Sequence, residues 1–403
     1  MTRFDFDIIV VGAGSVGLAF AAAMRESGYR ILILDSGGAP RFDDSSYDLR
    51  VNTLNLASET FLNAVGAWSN MQTKRVSSFD RIKVWDSAGG RIQFLADEIG
   101  EQHLGHVVEA GVVTTSLIEA IEGCADIELR FDVHLQSVTL SEDRVEVILA
   151  NNERISSLLV VGTDGGNSTV RESIGFDVSI SSYDQRALVA QVEASEPASR
   201  TAFQVFLPTG PLAFLPLADG SYSIVWSAAT SFAAQLMQLT ETGFEQKLSA
   251  AVDYELGDLS LISQLVSFQL RKLEAEKYFF DRVVLAGDSA HIIHPLAGMG
   301  VNLGLMDAAV LSEVLLEGGS ESERDPFQVS RLRQFQRWRK SSNVPTGFIM
   351  DGFDWGFRHP SKLIQTVLGA GLTLTNRMDF PKQEIIRFAC GLKGDLPSIA
   401  RRV

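Results

Sequence analysis

Three glycines near the start of the chain, Gly12, Gly14 and Gly17, have the spacing of a dinucleotide-binding turn. The apolar residues 8–11 precede them and predict a buried parallel strand, and the apolar residues 18–24 predict a helix. In such a turn the first glycine permits the bend, the second admits a pyrophosphate and the third lets helix and strand pack closely. The free N–H groups at the helix start, at Ser15 and Val16, can then bind phosphate.

An acidic residue completes this pattern. Residues 31–34 predict a second apolar strand that ends at Asp35, at the distance where an acid accepts hydrogen bonds from the ribose hydroxyls. A 2′-phosphate would be repelled by Asp35. The alternative, a glycine-rich turn without a ligand, leaves Asp35 without a role. The pattern alone does not separate NAD from FAD.

Two later motifs extend the prediction. Residues 158–161 form another apolar run, followed by Gly162, Asp164-Gly165 and Arg171. Residues 282–286 form a third run that ends in Gly287-Asp288. A glycine-rich stretch then leads into a helical run at 305–316. Gly300 lies just before that run, so a second helix N-terminus is free to face a ligand.

In order and spacing, the three motifs resemble those of the single-component FAD aromatic hydroxylases, the class of para-hydroxybenzoate hydroxylase. Within that class the chain is most similar to the ubiquinone-biosynthesis hydroxylases, and the resemblance spans nearly the whole chain. The stretches that carry it are 104–109 (LGHVVE), 206–217 (FLPTGPLAFLPL), 291–298 (HIIHPLAG), 337–340 (RWRK) and 391–397 (GLKGDLP).

The resemblance implies a role for each matching position in FAD binding. Asp288 hydrogen-bonds the ribityl chain, Arg50 reaches the phosphates, and Pro295 lines the flavin face where oxygen reacts. Asp164 and Arg171 serve both FAD and NAD(P)H, although Arg171 has an alternative role as a structural partner of Asp164. The isoalloxazine edge is held by the backbone N–H groups of Gly300, Val301 and Asn302.

The resemblance also implies the reaction. NAD(P)H reduces FAD, O2 adds to form a C4a-hydroperoxide, and one oxygen atom passes to the ring of a polyprenylated phenol. The flavin supplies this chemistry, and the protein supplies position, charge and shielding from water. We therefore take Pro295 and His294 as catalytic candidates. A proton-shuttling role for His291 and His294 competes with a purely structural one.

The chain departs from the family beside these motifs. Met299 stands where the family usually has Gln, and Met306 where it usually has Arg. Ala110 replaces a common polar amide, so it can offer FAD only its backbone. No residue pattern indicates a metal site.

The predicted fold is α/β: a Rossmann-like FAD-binding domain, an inserted antiparallel-sheet substrate domain and a C-terminal helical segment. We assign residues 1–75, 97–180 and 272–330 to the FAD domain. Residues 76–96 and 181–271 alternate in polarity and predict the inserted sheet, which covers the substrate pocket. Residues 331–403 form the helical region.

Charge and composition limit the partners. The net charge of −15 argues against nucleic-acid binding. Residues 331–403 hold 13 basic and 5 acidic residues, against 22 and 45 in residues 1–330. The basic region either lies on the acidic body or contacts an anionic membrane or an acidic partner protein. Residues 362–374 are apolar and predict packing or a subunit contact, hence a homo-oligomer, with membrane contact as the alternative.

The two cysteines, Cys124 and Cys390, favour a reducing cytoplasm, and the N-terminus lacks a signal-peptide pattern. We expect a cytoplasmic protein, with a location peripheral to the inner membrane as the second interpretation. Two other functions stay open. One is an FAD hydroxylase or reductase that acts on another phenol, and the other is a non-catalytic flavoprotein scaffold of a biosynthetic complex.

Overall fold

The computed structural model describes residues 4–298, 300–317, 328–359 and 361–402. Its strands are β1 (Phe6–Val11), β2 (Ile31–Leu34), β3 (Val51–Leu54), β4 (Ser77–Phe79), β5 (Arg81–Asp86), β6 (Arg91–Leu95), β7 (Gly105–Glu109), β8 (Ile127–Arg130), β9 (Leu135–Leu140), β10 (Val145–Leu149), β11 (Arg154–Gly162), β12 (Val178–Ala194), β13 (Thr201–Leu207), β14 (Gly210–Pro216), β15 (Tyr222–Ala229), β16 (Leu259–Leu261), β17 (Val266–Ala275), β18 (Phe279–Phe280), β19 (Val283–Leu285) and β20 (His291–Ile292).

The helices are α1 (Ser15–Ala23), α2 (Leu56–Ala64), α3 (Trp68–Gln72), α4 (Ala110–Ile121), α5 (Thr169–Ile174), α6 (Thr230–Leu236), α7 (Glu241–Ala251), α8 (Gly300–Leu316), α9 (Val329–Arg358), α10 (Lys362–Asn376) and α11 (Asp379–Ala389). The predicted combination of a parallel sheet, an inserted sheet and C-terminal helices is confirmed.

The first sheet places the three motifs side by side. Its strand order is β18-β19-β11-β1-β2-β8, and β1 pairs in parallel with both β2 and β11. Strand β11 also pairs in parallel with β19. The glycine turn follows β1, the Asp-Gly motif follows β11 and the Gly-Asp motif follows β19. Because the carboxyl ends of parallel strands share one edge, motifs far apart in sequence meet at that edge.

The second sheet forms the opposite wall of the site. Its strand order is β20-β17-β12-β15-β14-β13-β5-β6, and most neighbours are antiparallel. The predicted antiparallel character is wrong at one pair, since β5 and β13 run parallel. The β5–β6 hairpin comes from a distant part of the chain and joins the edge of the sheet, so no short turn fixes its direction.

The domain division stays a prediction. Strands β5 and β6 join the second sheet together with the strands of 181–271, whereas β4 pairs with β7 in a separate sheet ordered β3-β7-β4. Helices α9, α10 and α11 follow in the C-terminal region, and α10 packs against β6. The described residues form three buried apolar clusters. The first lies between the first sheet and its helices, the second lies against the second sheet, and the third lies at the junction near β7 and α11.

Candidate active site

One cavity of about 1550 Å³ runs along the shared edge of the first sheet and under the second. Small-molecule pockets usually measure roughly 300 to 1,000 Å³, so this cavity has room for a dinucleotide and a further ligand. Most of the predicted cofactor residues line it: Gly12, Gly14, Ser15, Val16, Asp35, Arg50, Asp164, Asp288, Gly300 and Val301.

The glycine turn fits a bound pyrophosphate. Gly12 has φ of +109°, and a Cβ on it would lie 2.4 Å from the Thr163 carbonyl oxygen. A Cβ on Gly17 would lie 2.1 Å from the Gly12 oxygen, so both glycines are required by the protein's own packing. Gly14 differs, because its Cβ would meet no protein atom within 4 Å. The space beside Gly14 belongs to the cavity, where a phosphate would lie.

Asp35 holds this turn and borders the cavity. Its carboxylate accepts hydrogen bonds from the backbone N–H groups of Ala13 (2.6 Å) and Gly37 (2.7 Å). Residues 133–135 form a cavity wall that the sequence reasoning missed. The N–H of Val133 donates to the Asp35 carbonyl, which places this wall beside the carboxylate.

The Asp-Gly motif is tied to the other loops through Arg171. The half-buried Asp164 carboxylate accepts hydrogen bonds from the Ser168 hydroxyl (2.5 Å) and the Val170 N–H (3.1 Å). The Arg171 guanidinium donates to the carbonyl oxygens of Gly166 (2.9 Å) and Ser289 (3.0 Å). Among the described residues it therefore joins the second motif to the third, and its hydrogen-bonding partners are these carbonyls rather than Asp164.

The Gly-Asp motif depends on a buried acid that the motifs did not reveal. The Asp307 carboxylate accepts hydrogen bonds from the Gly287 N–H (2.9 Å) and His291 Nε2 (2.6 Å). Its other oxygen accepts from Arg339 Nε (2.6 Å) and Asn343 (3.1 Å). Asp307 is 0% exposed. An acid inside the apolar run of α8 was the available signal, because buried acids need partners.

Electrostatics keep this network charged. Burial alone would raise the pKa of Asp307, but His291 and Arg339 outweigh it, so the pKa lies below its usual range. Burial lowers the pKa of His291, yet the Asp307 carboxylate reverses that and leaves it raised. The charged Asp307 carboxylate therefore accepts all four of these hydrogen bonds, and the bond from Gly287 fixes the turn that precedes Asp288.

At the predicted flavin end, Pro295, Gly300 and Val301 line the cavity. A Cβ on Gly300 would meet no protein atom within 4 Å, as at Gly14, so the start of α8 leaves room for a ring edge. The Asn302 side chain instead points into the protein. Its amide donates to the Thr53 carbonyl (2.7 Å), and its oxygen accepts from the Ser58 hydroxyl (2.7 Å).

His294 lies behind this end of the cavity and does not line it. Its Nε2 contacts the Gln185 side-chain oxygen (2.8 Å), and the Gln185 amide donates to Asp354 (2.9 Å) on α9. The Tyr183 ring packs edge-on against the imidazole at 4.8 Å. Burial lowers the pKa of His294, so the ring is neutral at ordinary pH. Its position permits action through neighbouring groups rather than direct contact with a ligand.

Arg50 is exposed at the cavity edge, and hydrogen bonds to Asp48 and Glu109 fix the loop that carries it. The Asp48 carboxylate accepts from the Arg50 N–H (2.8 Å), and the Glu109 carboxylate accepts from the Asp48 N–H (2.8 Å). Arg75, which the sequence reasoning missed, pairs with Glu109 at 2.9 Å. Burial raises the pKa of Glu109.

Two residues that depart from the family pattern, Ala110 and Met306, lie where they should affect FAD binding less than the sequence implied. Ala110 lines the cavity, and its N–H donates to the Arg50 carbonyl (2.8 Å). Met306 is buried in the main apolar core and does not line the cavity. Met299 lies outside the described residues.

Beyond Pro295 the cavity becomes an apolar chamber between the second sheet and the C-terminal helices. Phe206 of β13 stacks on Phe357 of α9, with ring centroids 4.1 Å apart, and this contact joins the sheet to the helices. The chamber is lined by Phe94, Phe206, Ala213, Leu215, Val225, Ile349, Phe353, Leu372, Ile385 and Phe388.

Away from the cavity, Glu59, His103 and His106 form a group whose ligand atoms lie within 4.8 Å of one another. Glu59 Oε2 lies 2.7 Å from His103 Nε2, and Glu59 also pairs with Arg402 at 3.5 Å. Two segments supply these residues, since His103 and His106 are three positions apart around the start of β7 and Glu59 lies on α2, so the sequence shows the spacing of the histidines but not the third member. The Arg402 guanidinium already provides the Glu59 carboxylate with a cation.

Comparison with known proteins identifies the family. A family model described as an FAD binding domain matches residues 5–325. The chain is 30% identical to 3-demethoxyubiquinol 3-hydroxylase of Escherichia coli, across 97% of this chain and 100% of that protein. It is also 30% identical to the mitochondrial ubiquinone biosynthesis monooxygenase of Danio rerio, across 95% of this chain and 89% of that protein.

The chain belongs to the ubiquinone-biosynthesis family of FAD-dependent hydroxylases. The predicted resemblance is confirmed, and so is the assignment as an FAD-dependent aromatic monooxygenase. Solved structures support the fold of this hydroxylase. The p-nitrophenol 4-monooxygenase PnpA from Pseudomonas putida has a TM-score of 0.75 at 17% identity, covering 96% of this chain and 98% of that one. Among the described residues of this hydroxylase, every helix is too short or too polar to cross a membrane.

Proposed function

We propose that this hydroxylase adds oxygen to the ring of a polyprenylated phenol in ubiquinone biosynthesis, with FAD as cofactor and NAD(P)H and O2 as co-substrates. One observation carries the proposal: a single cavity continues from the glycine turn, past Pro295, into a long apolar chamber. A small hydrophilic phenol would leave that chamber unfilled, whereas a polyprenyl tail would bury its apolar surface there.

Residue roles follow from position in the cavity. Gly14 and the α1 N–H groups of Ser15 and Val16 would hold the pyrophosphate, and Asp35 would bind the ribose. Asp288 would bind the ribityl chain, and Arg50 would approach the phosphates from the cavity edge. The start of α8 would hold the isoalloxazine through the N–H groups of Gly300, Val301 and Asn302.

Once bound, FAD would supply electron transfer from NAD(P)H and activation of O2. The protein would orient the ring against the flavin face at Pro295 and exclude water with the apolar chamber wall. The neutral, fully buried His294 would act indirectly, by passing a proton or fixing the loop that carries Pro295. Gln185 and Asp354 would hold its orientation.

The test begins with purified protein. FAD retention gives a yellow protein, and NADPH or NADH is then added with and without a short-chain prenylated phenol. We expect faster NAD(P)H oxidation with the prenylated phenol and a product heavier by one oxygen atom. Quinone profiling of a deletion strain then identifies the ring position, because the accumulated intermediate lacks that hydroxyl group.

Other outcomes would identify the alternatives. Stimulation by a simple hydrophilic phenol, without an effect of the prenylated one, would indicate a hydroxylase or reductase with a different substrate. FAD binding without NAD(P)H oxidation in the presence of either phenol would indicate a non-catalytic flavoprotein scaffold. A polyprenylated substrate partitions into membranes, so a location peripheral to the inner membrane forms part of the proposal.

A further inference from the structure

The C-terminal helices carry the most exposed apolar side chains of the described residues. Elsewhere in the described chain no large apolar side chain is more than 54% exposed. On these helices six exceed that value: Phe348 (68%), Trp355 (63%), Leu363 (73%), Val367 (61%), Leu374 (61%) and Phe380 (76%). A concentration of this kind marks a surface that meets an apolar partner.

Helix α10 has its apolar side turned outward. Its inner side packs closely on the β5–β6 hairpin, where a Cβ on Gly90 would lie 2.4 Å from the Gly369 Cα. The Thr373 and Asn376 side chains on that side accept hydrogen bonds from backbone N–H groups of β6. The outer side presents Leu363, Val367, Ala370 and Leu374, which are all exposed. Their spacing of three and four residues forms one helical stripe, which normally faces a core.

The same three helices separate this outer face from the apolar chamber. Ile349 and Phe353 of α9, Leu372 of α10, and Ile385 and Phe388 of α11 line the cavity. Most of these side chains are also exposed. The helices therefore have a ligand cavity on one side and an apolar surface on the other, so a lipid-soluble ligand would not need to cross water to enter.

The charge of this helical face indicates the kind of partner that it binds. The face belongs to residues 331–403, the basic part of an otherwise acidic chain. Arg377 is exposed at the end of α10, and Lys393, which pairs with Glu384, is exposed after α11. Anionic lipid headgroups attract such a surface, and the amphipathic ring of Trp355 favours the interfacial region. A two-fold contact with a second copy would place the same basic face against itself.

We propose that α10, together with the outer faces of α9 and α11, docks on an anionic lipid bilayer and admits the polyprenylated substrate from it. The proposal rests on the proposed function for the identity of the substrate. The docking step itself needs neither substrate nor turnover.

Vesicle flotation of the FAD-loaded protein tests this. We expect flotation with phosphatidylethanolamine–phosphatidylglycerol vesicles, and much less with phosphatidylcholine alone. The triple variant Leu363→Ser/Val367→Ser/Phe380→Ser should bind about tenfold less tightly or weaker, since three inserted side chains become polar. The control Ile180→Ser/Met237→Ser/Tyr254→Ser, at exposed positions outside the C-terminal helices, should float like the wild type.

Equal flotation of the triple variant, or no flotation of the wild type, would overturn the docking proposal. A wild-type dimer that becomes a monomer in the triple variant would assign the face to a second copy instead. The triple variant should also keep wild-type turnover with a water-soluble prenylated phenol. Absence of turnover in the wild type would count against the proposed function alone, because flotation is measured without substrate.

Discussion

At the scale of single residues, Asp307 does the most to shape the FAD site without touching the cavity. Its carboxylate joins the Gly287 turn, His291 and Arg339. Asp307→Asn would leave the Arg339 charge buried without its counter-charge, so we expect a loss of about 3 kcal/mol in stability and weaker FAD binding. Thermal unfolding and FAD titration measure the two effects. Glu313→Gln, at a half-buried acid on the same helix, serves as the control, and an equal loss there would contradict the argument.

His294 is the residue whose catalytic role the structure makes indirect. Because the imidazole lies outside the cavity and contacts Gln185, we expect His294→Ala to keep FAD but to slow hydroxylation. Stopped-flow measurement should separate flavin reduction, which should be nearly unchanged, from product formation, which should slow. His359→Ala, at the end of α9, is the matched control. Unchanged turnover in His294→Ala would eliminate the catalytic role.

The glycines and acids at strand ends were predictable because backbone geometry and phosphate binding dictate those residue types. Asp307 and Glu109 were not identified by sequence as the centres of their networks. Each acts through partners from distant segments, Arg339 and Arg75 respectively, and only the fold places them together. Asn302 was predicted as a cofactor residue, but its side chain braces the protein.

At the scale of elements, the β1–α1 turn contains glycines with two different roles. Gly12 and Gly17 are needed for folding, whereas Gly14 leaves room for the ligand. Gly17→Val should destabilise the protein even without FAD, because its Cβ would lie 2.1 Å from a backbone oxygen. A Cβ at position 14 would meet no protein atom within 4 Å, so Gly14→Val should leave the stability of the apo-protein nearly unchanged and weaken FAD binding about tenfold or more. Melting temperatures of apo-protein and FAD titrations distinguish them. A similar loss of apo-protein stability in both variants would contradict this reading of the turn.

Strand existence followed from alternating polarity, but strand pairing did not. Residues 76–96 were predicted to join the inserted sheet, whereas the parallel pairing of β5 with β13 was not predicted, because pairing between distant segments is decided by the whole sheet. The apolar run at 362–374 was predicted to pack or to form a subunit contact. Helix α10 does pack on β6, yet through its glycine and polar side, and that orientation depends on the neighbouring hairpin.

At the scale of the whole molecule, a buried histidine makes stability depend on pH. Burial and the neighbouring His103 lower the pKa of His106 to about 4. An unfolded histidine titrates near about 6.5, so the unfolded state binds a proton first as pH falls. Stability should therefore decrease from about pH 6.5 towards pH 4, by about 2 kcal/mol at pH 5.

The variant His106→Phe removes this dependence and keeps an aromatic ring beside Trp68. The measurement is the urea midpoint at about pH 7.5 and about pH 5. The midpoint should fall less between these values in His106→Phe than in the wild type. His134→Phe, at an exposed position, provides the comparison. An equal fall in the wild type and His106→Phe would show that this histidine does not contribute.

The division of the cavity into a polar cofactor end and an apolar chamber gives the last prediction. Ala213 of β14 lines the chamber, so Ala213→Trp would fill space that a polyprenyl tail needs and leave the glycine turn untouched. We expect FAD retention to stay normal, KM for a prenylated phenol to rise about tenfold, and KM for an unprenylated phenol to change little. Ala150→Trp, at an exposed turn after β10, controls for the added indole. An equal rise in KM for both phenols would show that the tail binds elsewhere. If the chamber holds only the tail, the added indole should not weaken binding of a phenol that has no tail.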